Sequence, residues 1–225
     1  MLTSTVATLH NNSAHGEDGY LVRALGDHTF LDAVMDGVTG RQGGEASRCL
    51  VEALAAADLA SPDDVLAVLE EVNQHCYRRG LGRFFLTTVS TALFLDGKLH
   101  VISVGDSPVC LIRSDAFQHL SRHVSGMLST GVVRAIGATR NLGHLYRTEV
   151  TIEPGDRLVL ATDGITHTIT RDELMHVVRS AQTPDEAAQQ IQTMMTTRHA
   201  ENYVGARFRH DDWTAIFRFF GSEPE

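Results

Sequence analysis

Long hydrophobic runs are missing from this sequence. No stretch of eighteen or more apolar residues occurs, and the opening MLTSTVATLHNNS lacks a charged start followed by a long apolar block, so neither a membrane span nor a secretory signal is expected. A cytoplasmic protein is the default. Cysteine is scarce: Cys49, Cys76 and Cys110 are odd in number and far apart, which argues against a disulfide framework or a cysteine-based zinc site. Each reads as a small core residue. No run of Lys and Arg offers the counterion-releasing patch that a phosphate-rich nucleic acid needs, and the net charge of −9 points the same way. Also absent are a G-x-S-x-G nucleophile turn and a His-x-x-x-His pair on a credible helix, the latter despite twelve histidines.

What is present supports a folded chain. Hydrophobic residues make up 43% of 225, enough for a sizeable core, and no linker, low-complexity stretch or internal repeat divides residues 1–225, which read as a single domain. Three segments carry helix grammar. SPDDVLAVLEEVNQHCYRRG starts with Ser61 as N-cap, Pro62 in the first turn and two acids on the positive end of the dipole; Val65, Leu69, Val72 and Cys76 then share one face. TRDELMHVVRSA opens with Thr170 and Glu173 in capping-box spacing. TPDEAAQQIQTMMTTRH repeats the Thr-Pro-Asp start at 183, with Ala187, Ile191 and Met194 or Met195 facing inward. The same periodicity predicts a fourth helix from Gly44 to about Asp58.

Strand grammar fills most of the rest, in YLVRAL, TFLDAVM, TTVSTALFL, LHVISV, PVCLIR, LYRTEVTI, RLVLAT and WTAIFRFF, with Asp96-Gly97 as a hairpin signal. Strands come in consecutive runs with helices between the runs. That order predicts an α+β fold of antiparallel sheets with segregated helices.

Aspartates stand at the ends of these strands beside glycines, in AVMDGVTGRQGGEAS, ISVGDSP and LATDGIT, and before a strand in RHDDWTAIFRFF. Each alone is ordinary turn punctuation. Gathered together, unpaired carboxylates would raise one another's pKa, and a fold retains such a cluster only with cations to neutralise it. Oxygen-only ligands select Mg²⁺, Mn²⁺ or Ca²⁺ over zinc. Surplus acid is also ordinary solubility charge, so composition by itself does not decide.

The order of these segments is specific. Glu17-Asp18, Asp36-Gly37-Val38-Thr39-Gly40 with Gly44-Glu45-Ala46-Ser47, Thr87-Thr88, Gly105-Asp106-Ser107, Asp163-Gly164 and Asp211-Asp212-Trp213-Thr214 together resemble the metal-dependent serine/threonine protein phosphatases of type 2C, in their bacterial form, over residues 12 to 220. The resemblance implies a four-layer α-β-β-α sandwich, two antiparallel sheets flanked by helices, with a metal cleft at one rim. Carried over by position, it implies that Asp36 bridges two Mn²⁺ or Mg²⁺ ions and that the Gly37 carbonyl holds the first. Asp163 and Asp211 would hold the second ion, Glu17 or Asp18 would reach the first through water, and Asp106 would stand by a third, looser ion. A water activated between the two cations would then hydrolyse phosphoserine or phosphothreonine. The implied partners are a phosphorylated protein and a cognate serine/threonine kinase or its targets; nucleic acid and membrane are not expected.

The chain departs from the family pattern in places. Ser13 stands where many members carry a phosphate-gripping arginine, Gly16 replaces an Asn, Val38 stands where some members have a histidine acid, and Asp212 replaces the usual Asn. Arg41 and Arg134 are the nearest cationic substitutes in sequence for gripping phosphate. The missing arginine is also the best support for the alternative reading, a noncatalytic, phosphatase-like metal-binding regulatory module. Asp32 shares a strand face with Asp36 but lies about 13 Å away at strand rise, too far for the same ion, and reads as an edge or paired carboxylate. His15 and His210 are near the acids in sequence, and residues 121 to 144 occupy the place of a flap beside the cleft in relatives.

Overall fold

The computed structural model describes residues 2–121, 134–201 and 210–222. Two five-stranded antiparallel sheets form its centre. One contains β1 (Leu2–Asn11), β10 (Trp213–Ser222), β9 (Arg157–Ala161), β6 (Val109–Arg113) and β7 (Ala116–His119), in that spatial order. The other runs β2 (Gly19–Gly26), β3 (Thr29–Met35), β4 (Val89–Leu95), β5 (Lys98–Val104) and β8 (Tyr146–Thr151). Helices α1 (Gly43–Ala56) and α2 (Pro62–Gly80) follow β3, and α3 (Asp163–Thr168), α4 (Arg171–Ser180) and α5 (Pro184–Ala200) follow β9.

The period-2 alternation of the strands explains why the sheets stack as they do. On β3, Phe30 and Val34 point into the layer between the sheets, where they meet Phe94, Val101, Leu111, Leu160, Ile216 and Phe220. The alternate residues Leu31, Ala33 and Met35 point outward against Leu50 and Leu54 of α1 and Val65, Leu69 and Cys76 of α2. On β10 the division repeats: Ala215, Phe217 and Phe219 meet Leu174 and Val178 of α4 and Ala187, Ile191 and Met195 of α5. Three apolar layers thus separate four structural layers, α-β-β-α.

Local signals work as expected. Ser61 accepts from the Asp64 amide, Thr170 and Glu173 form a reciprocal capping box, and Thr183 accepts from the Glu186 amide. Asp96 (φ 51°) and Gly97 (φ 76°) make the two-residue turn that joins Leu95 to Lys98. Of the methionine pair, Met195 is fully buried and Met194 packs at the edge of the same cluster.

Asp32 has a partner that sequence does not reveal. It points into the layer between the sheets, where Arg218 of β10 grips it by two bonds, Nε to Oδ2 at 2.6 Å and Nη2 to Oδ1 at 2.8 Å. The guanidinium also donates to Ser4 Oγ and lies 3.6 Å from the centre of the Phe30 ring. This pair ties one sheet to the other. Cys76 and Cys110 are buried, and burial pushes their thiols up to about 11 and about 12, so neither is an activated nucleophile. Among the described residues, no helix is long and apolar enough to cross a membrane.

Candidate metal centre

Antiparallel pairing decides which loops meet. Gly19 pairs with Met35 and Val89 with Val104, so the entry to β2, the exit of β3, the entry to β4 and the exit of β5 share one rim of their sheet. In the other sheet Ala161 pairs with Ala215 and Asn11 with Trp213, placing the exit of β9, the entry to β10 and the exit of β1 at one end. The 12–18 loop joins β1 to β2 and crosses between the sheets at that rim. Asp18, Asp36, Asp106, Asp163 and Asp211 come from five of the six connections that meet there.

Their mutual influence shows that they meet. Burial drives the Asp36 carboxyl well above its ordinary value, followed by repulsion from Asp163, Asp18 and Asp106; its side chain is hydrogen-bonded to that of Asp163. Burial also raises Asp163, with Asp106 and Asp211 adding to the shift and His167 opposing it. The Asp18 carboxyl is pushed up to about 7, chiefly by burial, although Thr214 and Thr162 donate hydroxyl bonds to its Oδ2 at 2.7 and 2.8 Å. Asp106 stands exposed at the outer edge and Asp211 is half-buried.

The scaffold holds Asp36 by its backbone. Its N–H donates to Thr88 Oγ1 at 3.2 Å, while its carbonyl accepts from the Thr87 hydroxyl at 3.0 Å and the Thr88 amide at 2.8 Å. Ser47 on α1 and Ser107 after Asp106 bond the two threonine hydroxyls in turn. The adjoining turn requires glycine, because a Cβ on Gly37 would stand 2.5 Å from the Gly43 carbonyl carbon and 2.6 Å from the Glu17 carbonyl oxygen. The start of α1 and the 12–18 loop therefore press against the backbone next to Asp36.

Asp212 is a loop anchor. Its Oδ1 accepts from the amides of Ala14 and His15, and its Oδ2 from that of Glu17, at 2.8 to 3.0 Å. Buried at the entry to β10, this carboxylate fixes the segment that presents Glu17 and Asp18. A Cβ on Gly164 would fall 2.0 Å from the Asp212 carbonyl oxygen, so the Asp163 turn packs directly on the same backbone.

The donor set fits hard divalent cations. Five acids gather with mutual repulsion, and Glu17 adds a buried Oε2 without a hydrogen-bond partner. Among the described residues no three His, Cys, Asp or Glu side chains enclose one ion directly. An oxygen-only donor set suits Mg²⁺ or Mn²⁺, which take one or two carboxylates and keep several waters, better than zinc. Asp18, Asp36, Asp106, Asp163 and Asp211, with Glu17 and the Gly37 carbonyl beside them in the chain, are the groups that could hold such an ion.

Two histidines border the acids. His167 Nδ1 lies 3.5 Å from Asp163 Oδ2, one turn along α3, and was not singled out in sequence although Asp163 and His167 stand in i, i+4 spacing. His15 Nε2 is 4.0 Å from Asp211 Oδ1. His210 instead meets His199, with ring centres 5.4 Å apart. Ser13 is exposed and bonds Asn11 Oδ1. Arg41 is exposed, with Nη1 3.2 Å from the Arg83 carbonyl oxygen, and Arg134 is half-buried beside Gly105, next to Asp106. Of the region read as a flap, residues 122–133 lie outside the described residues. Its second half is anchored: Ile136 exchanges backbone bonds with Thr87, and Asn73 bonds Gly137, Thr139 and Arg140.

Comparison with known proteins identifies the family and the fold. The sequence model of the stage II sporulation protein E (SpoIIE) family matches residues 31–217. No curated protein matches the chain in sequence. Among solved structures, PppA, described as a key regulatory component of T6SS in Pseudomonas aeruginosa, is similar with a TM-score of 0.80 at 23% identity, over 96% of this chain and 97% of that one. The catalytic domain of the serine threonine protein phosphatase PstP, solved with two manganese ions, gives 0.74 at 20% identity over 99% and 100%. The serine/threonine phosphatase Stp1 from Staphylococcus aureus gives 0.75 at 17% identity over 100% and 96%. At these identities the likeness is one of fold.

Proposed function

The chain belongs to the stage II sporulation protein E family and has the fold of the type 2C phosphatases, and on that footing we propose that it is a metal-dependent phosphatase acting on phosphoserine or phosphothreonine in proteins. The observation that carries the reading is the contact between the Asp36 and Asp163 carboxyls, ringed by Asp18, Asp106 and Asp211. Such a cluster is costly for folding unless its charge is used. Two divalent cations, when bound, would lower the pKa of a shared water and offset charge on the phosphoryl oxygens.

The chain's own residues then have distinct tasks. Asp36 and Asp163, from opposite sheets, would hold the cations, and Asp211 and the Gly37 carbonyl would add oxygen ligands. Glu17 and Asp18 orient water, positioned by Asp212 through three amides. Asp106, exposed at the outer edge, is suited to a third and looser ion. His167 steadies Asp163. Val38 brings no proton, so the leaving oxygen would take its proton from solvent or a coordinated water. Arg41 and Arg134 are the candidates to contact phosphate in place of an arginine at position 13. The expected partners are a phosphorylated protein and the serine/threonine kinase that modifies it.

Hydrolysis of p-nitrophenyl phosphate tests the reading. Turnover should require Mn²⁺ or Mg²⁺, stop with EDTA, and fall by roughly three orders of magnitude or more in Asp36→Asn and Asp163→Asn variants that keep the wild-type melting curve. Metal-independent turnover would refute the mechanism. Ser13 favours a second reading, a noncatalytic regulatory module, and metal binding without turnover by the wild type would select it.

A further inference from the structure

Arginines scattered in sequence gather at the far end of α2. Arg78 and Arg140 line a cleft of about 530 Å³ with Gln74, Tyr77, Leu81 and Asn141. Arg83 follows on the next loop, and Arg79 sits 4.0 Å over the Phe85 ring while pairing with Glu45. Among the described residues no carboxylate pairs with Arg78, Arg83 or Arg140. Cations on the last turn of a helix complement its dipole, which accounts for Arg78 and Arg79. It does not account for Arg83 and Arg140, which come from outside the helix, in a chain with a net charge of −9.

Two exposed apolar side chains accompany them, Leu81 in the wall of the cleft and Phe84 three residues further along the same loop. Leu81 is 73% exposed and Phe84 46%. Leu81 also occupies the left-handed region (φ 49°, ψ 37°) as the C-cap of α2, a position where glycine or asparagine is cheaper. An exposed leucine held in a strained conformation has no packing explanation. Nor is the segment remote from the acids: the Val38 amide donates to the Leu86 carbonyl at 2.9 Å and the Phe85 amide to the Arg41 carbonyl at 2.6 Å, stitching it to the turn that follows Asp36 and Gly37. Asn73 clamps residues 137–140 onto α2 and so fixes the opposite wall of the cleft.

We propose that this surface docks an acidic segment of the protein substrate, with a bulky apolar side chain seated against Leu81 and Phe84 and carboxylates on Arg78, Arg83 and Arg140. The inference rests on the phosphatase reading for the word substrate, and the docking itself stands on charge complementarity. Basic side chains beside an acidic catalytic rim would select phosphoproteins by sequence outside the phosphorylated residue. They would also counter the repulsion such a segment meets from the rest of the surface.

A fluorescein-labelled, unphosphorylated peptide of glutamates and leucines reads docking by anisotropy without any turnover. Wild type should bind it at low salt, lose it as salt rises, and bind its glutamine counterpart about tenfold more weakly. Arg78→Glu and Arg140→Glu should each weaken binding about tenfold. Leu81→Asn, which suits the left-handed backbone, should melt no lower than wild type yet also bind about tenfold more weakly. With phosphothreonine built into the peptide, these variants should raise KM about tenfold and leave kcat and p-nitrophenyl phosphate turnover unchanged. Equal binding of the glutamate and glutamine peptides, or charge reversal without effect, would overturn the proposal. So would tighter binding of a single-stranded oligonucleotide than of the peptide. Arginine-dependent binding in a protein that never turns over p-nitrophenyl phosphate would keep the docking surface and remove the phosphatase reading.

Discussion

Replacing Asp18 by asparagine should stabilise the metal-free protein, and more so as the pH rises. The carboxyl ordinarily titrates at 3.8, and in the fold burial and the neighbouring Asp212 and Asp163 charges lift it to about 7 against the opposing Thr214 and Thr162 bonds. A folded state that holds the proton more tightly than the unfolded chain is stabilised where both are protonated, below about pH 4, and loses that stability as the pH climbs through about 7. A shift of this size corresponds to about 4 kcal/mol by about pH 8, an upper bound because Asp36 and Asp163 share the repulsion. For a chain of this length that is a difference of about 8–16 °C in Tm. Asparagine keeps the shape and offers a carbonyl oxygen to both threonine hydroxyls, so packing does not obscure the charge.

Thermal melts of wild type and Asp18→Asn in EDTA, from about pH 4 to about pH 8, read the effect as a widening gap. Comparing the two proteins at each pH cancels His10 and His199, whose depressed values act in the opposite sense: their contribution is present above about pH 6.5 and lost as the pH falls. Millimolar Mn²⁺ should close the gap from the wild-type side, since a bound cation stabilises the charged cluster by mass action. A gap that stays constant with pH would refute the account of Asp18 as a buried, repelled carboxylate.

The pair between the sheets gives a second expectation. Asp32→Ala leaves the Arg218 guanidinium buried without its acid and should cost about 3–5 kcal/mol, or about 6–20 °C in Tm, while Asp32→Leu with Arg218→Met should recover most of the loss; a double variant no better than the single would show that the pair itself carries the stability. Asp212→Ala strands the amides of Ala14, His15 and Glu17, and should lower stability by about 2–4 kcal/mol in melts and weaken Mn²⁺ affinity in titrations. Asp212→Asn, retaining one acceptor oxygen, should fall between Asp212→Ala and wild type. Unchanged metal affinity in both would separate the 12–17 loop from the metal centre.

Features with short-range causes were legible before the structure. The caps at Ser61, Thr170 and Thr183, the Asp96-Gly97 turn and the buried face of α2 each depend on residues a few positions apart, and each appears as expected. The helix expected from Gly44 to about Asp58 begins and ends slightly earlier, at Gly43 and Ala56. Three elements were overlooked. Strand β1 lies at the edge of its sheet with only two of its ten residues buried, so its Thr- and Ser-rich sequence lacks a clear apolar alternation. Strand β7, with four residues, and α3, with six, are too short to show a period.

What sequence conceals is a partner chosen by topology. Arg218 is 186 positions from Asp32, and only the alternation of two strands in facing sheets brings them together. Asp212 sits beside Asp211 in the chain yet serves a different end, because its partners are backbone amides, which have no letter in a sequence. Four acids of the rim have a visible sequence signal, since Asp18, Asp36, Asp106 and Asp163 each stand beside a glycine at a strand terminus, while Asp211 is marked only by its place before β10. The arginine surface has no such signal, since it forms only where the turn after β3, the end of α2 and the 137–141 segment are stitched together.

The same topology explains how an unfavourable cluster survives folding. Asp36 and Asp163 are brought into contact by the ends of β3 and β9, which belong to different sheets, so separating them would require the sandwich itself to part. Three continuous apolar layers and the Asp32–Arg218 pair oppose that separation. Repulsion at the rim is therefore not relieved by local movement; protonation relieves it at low pH, and bound cations would relieve it at neutral pH. That restriction would offer divalent ions a prepared set of oxygens, and it is why the stability of this fold and its proposed chemistry should respond to the same metal.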